Sequence, residues 1–432
     1  MANKNKKAFT LVELLAVIVI LAIILVIAVP QIMNVITESR KGALASSAKL
    51  IASSAESAYI SNQTLGIEKT IECEDVSNYN SEDYDSCSIK FVDGKAKVKI
   101  VGKGKFEGMS VCSGTKEDAE VVDKCPTAVE KIESLATASN TEGLTTDDFG
   151  NIRYAGASPK NYVKFGNDND NELWRIIGIF NVTTASGKTE KLMKIVKDTQ
   201  FSESMSWDSS ASSVNWGNGV NEWSQSDLMT MLNTYYIGTS TTCSYCSENS
   251  QETCLNDCSS SVTPIGNTYT SMIEEVVWNT GAIAWDGNGT IPVETAYNAE
   301  RGTTTGKICT SGTGCNDSVT RTTTWKGKVG LIYPSDYGYA STDTSCRANI
   351  NDRTNYPCKN SNWLHSDSNY WTLSPFAVSY GASSMWIVGS GAFFLYDAKS
   401  SFDVLPSLYL KSNVSITSGD GSSSNPYQIS MW

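Results

Sequence analysis

Sixteen consecutive apolar residues (14–29) run unbroken between Glu13 and Pro30. Counted from Phe9, the stretch is long enough to cross a bilayer as a helix, which takes about 20 residues for a ~30 Å hydrocarbon core. Lys4, Lys6 and Lys7 precede it with no acid among them, and basic residues ahead of a spanning helix stay on the cytoplasmic side. A cleaved secretory leader fits poorly, because no small-x-small cleavage site follows the apolar run and the amphipathic pattern continues beyond it. A plain signal anchor explains the length but not Glu13. A lone carboxylate inside an apolar segment is costly unless it finds a partner, and the dipole of a first helical turn offsets only part of that cost.

The residues around this acid, Ala8-Phe9-Thr10-Leu11-Val12-Glu13-Leu14-Leu15, with a short basic segment before them and a proline at 30, resemble the N-terminal motif of type IV pilins. The resemblance implies that residues 1–8 are a leader, cut by prepilin peptidase between Ala8 and Phe9, and that Phe9 is then N-methylated. It also implies that Glu13 pairs with the N-terminal amine of a neighbouring subunit during filament assembly, supplying the cation that a charge in an apolar core requires. Pro30 matches the family's helix kink, since proline removes an intrahelical bond and bends the axis. The family usually carries glycine where this chain has Ala8. Its implied partners are other pilin subunits, the peptidase and the membrane. The implied location is the cytoplasmic membrane before processing, and an extracellular filament or the cell surface afterwards.

Beyond Pro30, apolar residues at 32, 35, 36, 44, 50 and 51 recur among Ser, Ala, Lys and Glu, a helical pattern in a helix-favouring composition. The spacing predicts one transmembrane and assembly helix over residues 9–61, broken by Asn62 and Gly66. Residues 62–130 read as a small antiparallel β head. Strand-like runs at 88–93 and 95–101 flank Asp93-Gly94, a two-residue hairpin signal, and a further run follows at 109–112. The pilin resemblance implies the same arrangement of long helix and small sheet.

Twelve cysteines, an even number, lie beyond the apolar run, and an exported chain meets an oxidising setting. Local pairing joins Cys73 to Cys87 and Cys112 to Cys125 in the head. Cys243, Cys246, Cys254 and Cys258 have spacing compatible with a four-cysteine zinc site. Export and polar surroundings favour nested disulfides instead, 243 with 258 and 246 with 254. Cys309 with Cys315 and Cys346 with Cys358 complete the set, one choice among many connectivities.

Residues 131–150 are small and polar and read as a linker. Residues 151–432 hold all eleven tryptophans and form a larger domain. Strand candidates lie at 162–165, 173–180, 192–196, 328–333, 385–388, 392–396 and 405–410, with helices at 226–235 and 271–278. Many short strands, few helices and long polar loops make this domain α+β with β dominant. Asn161-Tyr-Val, Glu172-Leu-Trp-Arg-Ile-Ile-Gly178, Leu232-Asn233, Val329-Gly-Leu-Ile-Tyr-Pro-Ser-Asp-Tyr-Gly-Tyr339, Tyr370-Trp-Thr-Leu-Ser-Pro375, Leu405-Pro406 and Gly419-Asp-Gly near Asn425-Pro-Tyr427 resemble a family of uncharacterised surface modules of Gram-positive exported proteins. The implied core is C-type-lectin-like or formylglycine-enzyme-like, with no assigned activity.

Acids outnumber bases, 46 to 34, which argues against nucleic acid as a partner. The single histidine, His365, leaves no material for a catalytic triad or a multi-histidine metal site, and it reads as a loop residue. Asp336, in Pro-Ser-Asp-Tyr-Gly, reads as a turn, as do Asp168 and Asp170 at a hairpin tip, which lack the remaining ligands of a calcium loop. The chain is therefore expected to have no catalytic residues, no cofactor and no metal. Tyr337, Tyr339, Trp371, Tyr380 and Trp386 are candidates for contact with an extracellular glycan or protein ligand, against the alternative that they fill a core. The architecture suggests a minor, tip-located pilin carrying an adhesion module. Its rivals are a pseudopilin of a secretion or DNA-uptake system and a membrane-anchored surface protein that never polymerises.

Overall fold

The computed structural model describes residues 11–92, 94–137, 143–167, 172–209, 219–245, 256–284, 289–302, 322–352, 356–377, 383–389 and 392–431. Two compact units divide the chain between Cys125 and Pro126. Ala8, Phe9, Asp93, Asp168, Asp170, Cys246, Cys254, Cys309, Cys315 and Tyr380 lie outside the described residues.

The first unit is built on helix α1 (Leu11–Leu65), which passes through Pro30 without a break in the helical assignment. Proline has no N–H, so the carbonyl four residues earlier, on Val26, receives no bond from position 30. The helix does not stop at Asn62. It ends at Gly66, whose φ is +65°, with the amide of Ile67 bonded to the carbonyl of Asn62 at 2.9 Å and that of Gly66 to Gln63 at 3.3 Å. This is the paired C-terminal motif that a left-handed glycine permits. Asn62 still fits within the helix because the glycine, not the asparagine, supplies the stop.

From Leu44 onward α1 acquires a buried stripe of Leu44, Ala48, Ile51, Ala52, Ala55 and Glu56, the three-and-four spacing of one helix face. These side chains share a core with an antiparallel sheet of β1 (Tyr84–Val92), β2 (Lys95–Gly102), β3 (Ser110–Gly114) and β4 (Val121–Val122), in that order. Strand β2 alternates as the sequence suggests: Ala96, Val98 and Ile100 are buried. Val92 pairs with Lys95, so a two-residue loop containing Gly94 at φ +74° closes the hairpin. Glu56, although buried in the helix stripe, accepts the Ala96 amide at 3.2 Å and faces Lys116 at 2.7 Å, so its charge is compensated. Disulfides link Cys73 to Cys87 and Cys112 to Cys125.

The second unit opens with α2 (Ala128–Thr137), followed by β5 (Leu144–Thr146), where a linker over 131–150 is expected from composition. Ala128, Val129 and Ile132 are buried in the unit's core, with Leu135 packed beside them. That helical spacing spans under three turns and runs directly into the small polar residues that follow. The main sheet adds β6 (Ile152–Tyr154), β7 (Tyr162–Lys164), β8 (Leu173–Thr183), β9 (Thr189–Lys197), β10 (Ile273–Glu274), β11 (Val329–Gly330) and β15 (Ser407–Leu410). Its path runs β10-β15-β9-β8-β6-β5, with β11 also on β15 and β7 also on β8. A three-stranded sheet joins β12 (Tyr370–Pro375), β13 (Ser384–Gly389) and β14 (Ala392–Asp397). Helix α3 (Asp227–Thr234) begins where Ser226 accepts the Met229 amide. The helix read over 271–278 is instead β10 and a short strand, Val276–Asn279, in which Val276 and Trp278 are buried and their neighbours half-buried. The β-branched pair Val276-Val277 favours that extended form. Disulfides join Cys243 to Cys258 and Cys346 to Cys358, which commits two of the four clustered cysteines to a bond with each other.

Strand β8 is buried without interruption from Trp174 to Phe180, as a strand covered on both faces must be. A bulge against β9 falls between Ile176 and Gly178. A Cβ on Gly178 would meet the Ile152 carbonyl oxygen of β6 at 2.2 Å, so backbone approach explains this glycine. Gly178→Ala is expected to cost about 1–3 kcal/mol, measured as a lowered midpoint in thermal unfolding followed by tryptophan fluorescence. An unchanged midpoint would show that β6 and β8 do not meet this closely.

Candidate functional site

Two regions concentrate chemistry, one in each unit. The first is the front half of α1. None of residues 11–43 is buried, and side chains such as Leu11 at 81 %, Val26 at 74 % and Ile27 at 60 % stand exposed all round the helix. An apolar surface on every side of a helix marks a segment meant for lipid or for a core of many helices. It is long and apolar enough to cross a membrane. Glu13 lies near the start of the described part of the helix. Backbone groups here are bonded within the helix, which is what lets this segment leave water at all.

The second region is a charge network inside the larger unit. Arg153, on β6, donates from Nε to Asp147 at 2.6 Å and from Nη1 to Asp336 at 2.9 Å. Lys194, on β9, donates to the other Asp336 oxygen at 2.6 Å. All four side chains are 1 % exposed or less. Asp336 sits in a short helix, α4 (Pro334–Tyr339), and also accepts the Tyr333 amide at 3.0 Å. It is therefore a buried hub and not a surface turn. Beside it, Glu300 accepts the Ser335 amide at 2.8 Å and faces Arg301 at 3.0 Å.

Aromatic rings line this network. The Arg153 guanidinium lies 4.6 Å from the Phe180 ring centre and 4.7 Å from that of Tyr339. The Lys194 ammonium lies 4.1 Å from that of Tyr333 and 5.3 Å from that of Trp278. Such contacts help to replace lost hydration. The candidate ligand-binding aromatics have the same fate. Tyr337, Tyr339, Trp371 and Trp386 are all 1 % exposed or less, so no ring face is open to a ligand, and the core alternative is the correct one. Trp371 donates to the Met205 carbonyl at 2.7 Å and Trp386 to that of Ile283 at 3.1 Å, while Tyr337 packs edge-on against Phe393 at 5.3 Å. Each spans two segments of chain with a large apolar body and, for the tryptophans, a satisfied N–H.

Three acids and three bases make the network neutral overall. Burial pulls on the Asp336 carboxyl in the opposite sense to its partners, but Lys194 and Arg153 win and hold its pKa at about 2. Burial outweighs attraction at Lys194, which falls to about 8, and at Glu300, which rises to about 6. With the four central side chains closed to solvent, the arrangement suits cohesion and not turnover of a substrate. Asp336 binds its proton less tightly in the fold than in the unfolded chain, so its contribution is present above pH 4 and is lost as pH falls toward 2. That contribution is about 2 kcal/mol. Glu300 acts in the opposite sense, its contribution fading as pH rises from about 4.5 to about 6. Asp336→Asn is expected to destabilise by about 3–5 kcal/mol, because two buried cations lose their shared anion. It should also flatten the acid limb of a melting-temperature profile between pH 5 and pH 2. A variant as stable as the parent, with the same acid limb, would contradict the hub role.

Residues 3–29 match a family model described as the prokaryotic N-terminal methylation motif. No curated protein and no solved structure matches the chain, so the expected likeness of its C-terminal part to a surface-module family has no relative behind it. The match ends within the exposed apolar half of α1. The chain therefore carries a type IV prepilin-like N-terminus, the mark of a structural subunit that meets prepilin peptidase and other pilins.

Proposed function

We propose that the chain is a minor type IV pilin at the filament tip, cleaved between Ala8 and Phe9, N-methylated on Phe9, and displaying Pro126–Met431 as an adhesion module. The observation that carries this reading is the methylation motif over residues 3–29, which runs into a helix apolar on every side. Glu13 is the assembly residue and Pro30 the point where the helix gives up a backbone bond. The second unit supports the tip position, since it spans more than twice the residues of the first. Bulk of that size is easier to accommodate at an end than in every repeat of a shaft. Net charge of −12 disfavours capture of DNA, and with it a DNA-uptake role.

Peptide mass spectrometry of sheared filaments from the native cell tests this reading. The expected product begins at N-methyl-Phe9. A Met1 start confined to membranes would leave a bitopic surface protein in its place. In the same fractions Glu13→Ala is expected to lower incorporation by more than an order of magnitude, since breaking a buried ion pair costs about 3–5 kcal/mol. Normal incorporation would remove Glu13 from assembly.

A further inference from the structure

Two adjoining surface pockets of the larger unit, of about 290 and 240 Å³, share Lys197 and Gln200 as common walls. Both volumes together fall in the ~300–1,000 Å³ range of small-molecule sites. Their polar lining is held in place by what lies behind it. The Arg175 guanidinium is fixed between the rings of Tyr162, at 4.1 Å, and Trp363, at 4.6 Å. Its Nε donates to Asn161 Oδ1 at 2.7 Å, and Asn161 in turn donates to the Ile176 carbonyl at 2.9 Å. Asp198 stands 3.6 Å from Arg175 Nη1, too far for a full hydrogen bond, so both groups keep bonding capacity for a third. Lys197 faces Glu172 at 2.6 Å. His365, the chain's one histidine, lines the smaller pocket, with its Nε2 3.8 Å from Asp367.

The charges around these pockets balance: Arg175 and Lys197 against Glu172 and Asp198. Burial holds the His365 pKa below its ordinary value, so near neutral pH the ring is uncharged, with one donor and one acceptor nitrogen. A charged ligand gains no net attraction here. A ligand rich in hydroxyls, each able to give and accept, meets donors and acceptors side by side in Arg175, Asp198, Gln200 and His365. We infer that the two pockets form one binding groove for a neutral oligosaccharide, with Gln200 at the junction of its two subsites and the His365 ring forming part of the wall of one of them.

This inference rests on the reading of Pro126–Met431 as an adhesion module, and its test separates the two. The full chain in detergent is applied to an array of neutral and sialylated or uronic-acid-containing oligosaccharides, and the strongest neutral binder is titrated by calorimetry. Gln200→Ala and His365→Ala are titrated beside the parent, each first shown by thermal unfolding to be folded. Saturable binding of a neutral glycan, weakened tenfold or more by each substitution, is the expected result. Neutral binding unchanged by both substitutions would place the site elsewhere and overturn the groove while sparing the adhesion module. Binding of acidic glycans alone would overturn the ligand class. Absence of glycan binding overturns the inference whether or not cells carrying the filament still attach to surfaces. Loss of attachment on deleting residues 126–431 then decides separately whether the module is an adhesin.

Discussion

Water cannot be the final surroundings of the front half of α1. Every backbone amide and carbonyl that the ladder reaches is already bonded along the helix, and the side chains offer water nothing in exchange. Burying a single leucine or isoleucine is worth about 1.5–3 kcal/mol, and the exposed run from Leu11 to Ile36 contains many of them. That sum dwarfs the stability of an ordinary domain, about 5–15 kcal/mol. The environment that covers this helix therefore dictates where the chain can exist. The back half of the same helix has a different task, spending its stripe from Leu44 to Glu56 on the sheet of its own unit.

The larger unit solves the opposite problem, keeping charge out of water. Asp336 takes two cations, one for each oxygen, together with a backbone amide. Rings of Tyr333, Tyr339, Phe180 and Trp278 fill the space that hydration would occupy. Replacing such a network with well-packed apolar residues is often neutral in energy, whereas breaking it is not. What the network offers beyond energy is a single way of joining β6, β9 and α4.

Much of this was legible in the sequence because it depends on neighbours along the chain. The apolar run, the hairpin at Gly94, the alternation of Ala96, Val98 and Ile100, and the short-range bonds Cys73–Cys87 and Cys112–Cys125 all follow from local spacing. Residues whose role is set by distant contacts were not legible. Asp336 has the look of a turn residue because Pro-Ser-Asp-Tyr-Gly gives no hint of Arg153 or Lys194. The one local clue was a lysine in the otherwise apolar run of β9, Leu192-Met193-Lys194-Ile195-Val196, on a strand buried from Leu192 to Val196. Tyr337, Tyr339, Trp371 and Trp386 point inward because they sit on a short helix and two strands of this unit's core, a placement set by contacts with distant segments. Helix α2 was not legible because its apolar stripe of Val129, Ile132 and Leu135 is short and runs directly into a stretch of small polar residues.

Asp336 also sets a clock. It lies 183 residues after Arg153 and 142 after Lys194. At a synthesis rate of ~5–20 residues per second, Lys194 waits roughly seven to thirty seconds for its partner to be made, whereas Arg153 already has Asp147 behind it in the chain. During that interval β6 and β9 carry cations destined for a dry interior, and pairing across such long loops is slow in itself. Collapse of the larger unit before Asp336 arrives would bury Lys194 without its counter-charge. An immature chain that remains open is also one that can still be threaded through a membrane.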